Sequence, residues 1–141
     1  TKMRYGTRAM LDLALHYTAG LASIKEIAGR QEVSVKYMEQ LLAALLAAGL
    51  VRAERGPRGG YTLARPPEQI TLRELYGVLE GAQSFVDCTA DPNLCSRSET
   101  CVTQEIWAQM CAACMEILEA NTLADLERRA GEKQSAAMYH I

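Results

Sequence analysis

The sequence is poor in large aromatic side chains: one Trp and one Phe stand beside six Tyr in 141 residues. A core must therefore be built mainly from Leu, Ile, Ala and Met. No apolar run approaches the ~20 residues that a membrane-spanning helix needs, so no membrane partner is expected. The amino terminus also lacks the apolar stretch of a signal peptide, so a cytoplasmic location is expected. Cysteine is present five times. An odd number without an export signal argues against a disulfide framework and for metal ligation or thiol chemistry. The chain has no recognisable nucleophile and base pair, no phosphate loop and no established catalytic motif, which argues against an enzyme. It has no internal repeat.

The net charge of -2 conceals an asymmetry. Residues 1–65 carry ten Lys and Arg against five Asp and Glu, a net of +5, whereas residues 66–141 carry five against twelve, a net of -7. A positive amino-terminal half suits a polyanion and the acidic remainder would be repelled by one, so a single face should meet nucleic acid.

That half contains the stretch around which the rest is organised. Ser23-Ile24-Lys25-Glu26 has the form of a capping box: the Ser hydroxyl takes the amide three residues on, and Glu26 reaches back to the Ser amide. Ile24, Ile27 and Ala28 then recur at helical spacing. Gln31-Glu32-Val33 breaks the pattern, and Ser34 is an N-cap for another helix. From Val35 to Ala48 an apolar stripe of Met38, Leu41, Leu42, Leu45 and Leu46 leaves Lys36, Tyr37, Glu39, Gln40 and Ala43 to solvent. Gly49 ends this helix, Leu50–Glu54 alternates like a half-buried strand, and Tyr61-Thr62-Leu63 returns. Between them Arg55-Gly56-Pro57-Arg58-Gly59-Gly60 forms a glycine-rich tip carrying two arginines, which suits a DNA minor groove. The order predicts a winged helix-turn-helix. Such units also serve as protein-contact modules, but the coincident positive charge favours DNA.

The flanking segments are helical. Ala9, Met10, Leu13, Ala14 and Tyr17 form the apolar side of a first helix that Gly20 ends, with His16 beside the stripe as a surface or packing residue. Thr71-Leu72-Arg73-Glu74 reads as a second capping box, opening a helix through Leu79 that Gly81 ends. Residues 82–101 show little periodicity and read as a loop, long enough to suggest a function. Val102, Ile106, Met110, Ala113, Ile117 and Leu118 then lie on one side of a long helix, whose apolar face is most simply covered by the same helix of a second copy. Thr122 starts a further short helix, and the polar tail from Gly131 is expected to be loose. The chain thus divides into a DNA-binding domain at 1–81, a cysteine-bearing sensor loop at 82–101, and a dimerisation helix with its tail at 102–141. The fold class is mainly α with a small β-hairpin wing.

Cys88, Cys95 and Cys101 lie on the loop at intervals too wide for the paired Cys-x2-Cys knuckles of zinc ribbons. Such spacing allows the backbone to wrap a larger object. An iron-sulfur cluster needs four ligands, commonly thiolates, so three imply a fourth of another kind or from another chain. Three free thiols in a poorly ordered loop are the plainer alternative. Cys111 and Cys114 fall mid-helix and read as core residues rather than ligands.

Together, Tyr5-x4-Met10-Leu11-Asp12-x-Ala14-Leu15, Tyr37-x-Glu39-Gln40-Leu41, Gly49-Leu50-Val51, Arg55-Gly56-Pro57-x-Gly59-Gly60-Tyr61-x-Leu63 and the three-cysteine loop resemble the bacterial regulators typified by IscR, NsrR and CymR, the Rrf2 family. The resemblance covers roughly residues 2–129. It implies a homodimeric transcription factor that binds a double-stranded DNA operator. It further implies an iron-sulfur cluster, [2Fe-2S] or [4Fe-4S], on Cys88, Cys95 and Cys101. The residue aligned with Glu39 takes part in base readout in that family, and the arginine aligned with Arg55 enters the minor groove; Lys36, Tyr37, Gln40 and Arg58 complete the candidate DNA-binding set. Members of the CymR type lack a cluster and are gated by thiol oxidation or a protein partner. IscR-like members have a histidine ligand three residues after the last cysteine, where this chain has Gln104. NsrR-like members use an aspartate of the partner's first helix, where this chain has Arg4. For the fourth ligand Glu105, Asp12, Gln104, His16, a helical cysteine and an external molecule all remain open.

Overall fold

The computed structural model describes residues 1–81 and 86–140. Among these described residues seven α-helices and one hairpin follow in order: α1 (Lys2–Leu15), α2 (Ile24–Gln31), α3 (Val35–Ala47), β1 (Val51–Glu54), β2 (Gly60–Leu63), α4 (Leu72–Glu80), α5 (Asp87–Ala90), α6 (Val102–Ala120) and α7 (Leu123–Tyr139). Among the described residues no helix is long and apolar enough to cross a membrane.

Local chemistry sets the helix starts. At α2 the Ser23 hydroxyl accepts from the Glu26 amide at 3.2 Å and the Glu26 carboxylate accepts from the Ser23 amide at 2.7 Å, the reciprocal box that the sequence predicts. The bond from the Ser23 amide, backed by the nearby Ser23 hydroxyl, favours the ionised acid and holds the Glu26 carboxyl below its ordinary range. Thr71 caps α4 by accepting from the Glu74 amide, but only half of the expected box forms. The Glu74 carboxylate turns instead to Arg65, 2.7 Å away, because a guanidinium is a stronger partner than a second backbone amide. Thr122 and Asp125 supply a complete box for α7.

α7 corrects the expectation of a short helix with a loose tail, since it runs unbroken through Gly131 to Tyr139. One helical glycine costs ~1 kcal/mol, whereas the Glu, Lys, Gln, Ala and Met around it are good helix formers.

A single core joins the amino-terminal module to the carboxy-terminal helix. Met10 of α1, Ile27 of α2, Met38, Leu42 and Leu45 of α3, Leu63 of β2, Leu75 of α4 and Leu123 of α7 are fully buried in one cluster. The stripe on α3 is Met38, Leu41, Leu42 and Leu45; Leu46, expected inside, is 43% exposed. It lies one residue beyond the stripe and borders an open cleft formed with Ile24 and Tyr61 under the wing. The hairpin pairs Val51 with Leu63 through Glu54 with Gly60, antiparallel. It is tied to the helices by a bridge in which the Tyr61 amide donates to Ala22 O at 2.8 Å and the Ala22 amide donates to Tyr61 O at 3.0 Å.

One buried charge locks α1 to α2. Asp12, 4% exposed, accepts two bonds of 2.8 Å from the Arg30 guanidinium and a third of 3.3 Å from Gln31. The planar fork of an arginine matches a carboxylate in this way.

Candidate nucleic-acid interface and cysteine segment

Lys36, Glu39 and Gln40 are exposed on α3. Three- and four-residue spacings put them on one face of the helix, clear of the buried stripe. Ser34 holds the start of this helix by accepting from the Tyr37 amide at 3.1 Å. Tyr37 departs from the solvent-facing expectation. Its ring packs edge-on against Tyr5, with centroids 5.9 Å apart, and its buried hydroxyl has no hydrogen-bond partner among the described residues. The face offered to a ligand is therefore Lys36, Glu39 and Gln40.

On the wing, Arg55 and Arg58 are both exposed. The tip turns at Gly56, whose φ of 114° few other residues adopt, and closes with the Gly59 amide donating to Gly56 O at 3.0 Å. Gly60 lies so close to Ala22 that no side chain fits between the wing and the start of α2. The hairpin is thereby held at a set angle to α3, with its arginines at the free end.

The cysteine segment is more ordered than a featureless loop, although the first part of the expected loop, residues 82–85, lies outside the described residues. Cys88 is half-buried on α5, Cys95 is exposed after a tight turn at Pro92–Leu94, and Cys101 is the half-buried N-cap residue of α6. The turns fasten themselves: the Ser98 hydroxyl reaches Pro92 O at 2.6 Å and Cys95 O at 2.8 Å, and the Gln104 amide donates to Cys88 O at 3.4 Å. The Cys101 sulfur lies 3.1 Å from the Thr103 hydroxyl. That bond, backed by the backbone N–H of Gln104 and the charge of Arg97, lowers the pKa of the Cys101 thiol.

The donor set suits iron and sulfur, but its placement does not assemble a site. Among the described residues no three His, Cys, Asp or Glu side chains are gathered to hold a metal ion. Of the candidates for a fourth ligand, Asp12 is engaged by Arg30, and Gln104 turns its amide to Cys88 O. His16 points Nδ1 at Asp12 O, 2.7 Å away. Cys111 and Cys114 are half-buried on α6 rather than core residues; only Met115 of that helix is buried in this chain. Ile106 at 54%, Met110 at 45% and Ile117 at 64% exposure leave the apolar face of α6 uncovered.

Two arrangements escaped the sequence reading. One is the Asp12–Arg30 lock. The other is the packing of Arg4 and Arg8 on Tyr5 at 4.8 and 5.5 Å, signalled only by a four-residue spacing around an aromatic.

A capped helix pair, a first helix packed against it and a wing ending in exposed arginines define a winged helix-turn-helix protein of the DNA-binding class. The chain matches along residues 1–129 the Rrf2 family model, described as an iron-dependent transcriptional regulator. It belongs to the Rrf2 family of transcriptional regulators and is not an enzyme. It is 41% identical to protein rrf2 of Nitratidesulfovibrio vulgaris over 92% of this chain and 87% of that one. It is 38% identical to CymR of Bacillus subtilis over 100% of this chain and 97% of that one. The solved structure of that CymR, the global cysteine regulator of its organism, matches with a TM-score of 0.78 at 37% identity over 92% and 95% of the two chains. The structure of T. potens IscR matches with a TM-score of 0.80 at 41% identity, covering 95% of this chain and 88% of that one.

Proposed function

We propose that the protein is a cytoplasmic homodimer that binds a palindromic double-stranded operator and releases or tightens it in response to chemistry at Cys88, Cys95 and Cys101. The observation that carries the DNA half of this reading is the joint exposure of Lys36, Glu39 and Gln40 on α3 and of Arg55 and Arg58 on a wing anchored at Ala22. A carboxylate at Glu39 accepts from cytosine amino groups in the major groove, Lys36 and Gln40 donate, and the arginines reach along the minor groove. The uncovered face of Ile106, Met110 and Ile117 supports the dimer, and two-fold dimers place two such modules on a palindrome. The division into a DNA-binding domain at 1–81, a sensor segment at 82–101 and a dimerisation region at 102–141 follows from this reading.

Two input chemistries have support. A labile iron-sulfur cluster, [2Fe-2S] or [4Fe-4S], is favoured by the family's iron dependence and by the likeness to IscR. The three thiols would be its ligands, with the fourth supplied from elsewhere. Thiol oxidation is favoured by the activated Cys101 and by the likeness to CymR. Anaerobic loading with iron and sulfide, read by absorption and electron paramagnetic resonance, separates them. A cluster that forms in the wild type and is lost in Cys88→Ala, Cys95→Ala and Cys101→Ala selects the first. Absence of bound iron and sulfide, with operator affinity changed by peroxide, selects the second. For the DNA half, Arg55→Ala is expected to weaken operator binding by ~1–3 kcal/mol; equal affinity of variant and wild type across a salt titration would remove the wing from the interface.

A further inference from the structure

The amino-terminal end of α1 carries positive charge that the interface described above does not use. Arg4 and Arg8 are one helical turn apart, both exposed, and both lie against Tyr5, with guanidinium carbons 4.8 and 5.5 Å from its ring centroid. The Arg4 guanidinium donates to the Tyr5 hydroxyl at 2.9 Å. Arg8 donates to the side chain and the carbonyl of Gln31 at 3.0 and 3.4 Å, which fastens it to the carboxy-terminal end of α2. Tyr5 in turn abuts Tyr37 in the first turns of α3. The two guanidinium groups are thus held on a rigid aromatic footing next to the start of the helix that carries Lys36.

Within one chain, none of this charge is neutralised among the described residues. Among the described residues neither Arg4 nor Arg8 pairs with a carboxylate. The acid at this end, Glu80, accepts from the Met3 backbone amide instead. Two like charges sharing one ring repel each other unless an anion lies nearby, and pre-ordered guanidinium groups lose little freedom when they meet one.

We propose that this end of α1 is a phosphate clamp: Arg4 and Arg8, continued by Lys36, grip the DNA backbone beside the groove segment that α3 reads. Backbone contacts of this kind fix register and orientation without reading sequence. Tyr37 then serves the interface as the support for Tyr5, which accounts for its half-buried ring. The inference rests on the DNA-binding reading and extends it to an element outside the helix-turn-helix and the wing.

The test uses the full chain with two probes: a palindromic duplex selected by the wild type from a random-sequence pool, and a shuffled duplex of the same length. Dissociation constants are measured across a potassium chloride titration. Arg4→Ala is expected to weaken both duplexes by the same factor. It should also lower the slope of log affinity against log salt by ~0.9 for each phosphate that is no longer neutralised, nearly ~2 for a symmetrical dimer. Arg4→Lys should retain the slope. Arg8→Lys is the matching variant for the second position, because Arg8→Ala also removes the tie to Gln31. Unchanged slope and affinity in both Arg4→Ala and Arg8→Ala, with the wild type still binding, would overturn the clamp and leave the DNA-binding reading intact. A loss confined to the selected duplex would also overturn it, since that is base readout. Failure of the wild type to select any duplex would remove the DNA-binding reading itself.

Discussion

Replacing Gly60 with alanine tests how the wing is held. An added Cβ would lie 2.5 Å from the Ala22 carbonyl oxygen and 2.7 Å from its carbon, both backbone atoms that no rotamer change can move. Relief to an ordinary contact requires a separation of roughly 0.9 Å between β2 and the residue before α2. The two bridge bonds, 2.8 and 3.0 Å in the native chain, would stretch past hydrogen-bonding distance. At ~0.5–1.5 kcal/mol each, their loss costs up to ~1–3 kcal/mol, or up to ~10 °C in melting temperature for a chain of this size. The functional effect should be at least as large, because the displaced hairpin carries Arg55 and Arg58. If Arg55 contributes ~1–3 kcal/mol, operator affinity should fall between about 5- and 150-fold. Amide exchange at Ala22 and Tyr61, a thermal melt and an operator titration at fixed salt read the three consequences. Native protection of both amides together with native affinity would refute the reasoning.

Other perturbations probe the remaining parts. Asp12→Ala leaves the Arg30 guanidinium without its carboxylate; since Arg30 is about a third exposed, water offsets part of the penalty, and thermal unfolding should report a loss of ~2–3 kcal/mol. Ile106→Asp places a charge in the uncovered face of α6, and sedimentation should show a dimer for the wild type and monomers with weak half-site binding for the variant. The Thr103 hydroxyl holds the Cys101 thiol below its ordinary range, so Thr103→Val should move the alkylation rate profile of Cys101 to higher pH, as read by mass spectrometry of labelled peptides. The carboxyls of Glu26 and Asp125 are both held low by their capping bonds, so the starts of α2 and α7 keep this support above the ordinary carboxylate range and lose it as pH falls through and below that range. Helix content followed by circular dichroism during acid titration should decline earlier in Ser23→Ala and Thr122→Ala.

Features set by neighbours in sequence were legible before the fold was known. The box at Ser23, the cap at Ser34, the stripe of Met38, Leu41, Leu42 and Leu45, and the glycine-rich wing each follow from residues within a turn or two of one another. Misreadings arose where a distant partner decides. Glu74 leaves its cap for Arg65, Tyr37 turns from solvent to Tyr5, and Leu46 borders a cleft that exists only once the wing folds back. The tail beyond Gly131 was misjudged because polarity alone does not prevent good helix formers from continuing a helix. The candidate site divides in the same way. Exposure of Lys36, Glu39, Gln40, Arg55 and Arg58 follows from local periodicity and the turn, whereas the relative placement of Cys88, Cys95 and Cys101 depends on three separate turns that spacing alone does not define.

The central claim is that chemistry at the cysteine segment sets operator affinity. The most direct test is the operator dissociation constant of the full chain in three states, anaerobic reduced, loaded with iron and sulfide, and treated with peroxide, measured beside a triple variant Cys88→Ser, Cys95→Ser, Cys101→Ser. One treatment should shift wild-type affinity by about 5- to 150-fold, the usual span of coupling between two sites, while the triple variant stays constant across all three states. A wild type with the same affinity in every state, or a triple variant that shifts as far as the wild type, would contradict the claim.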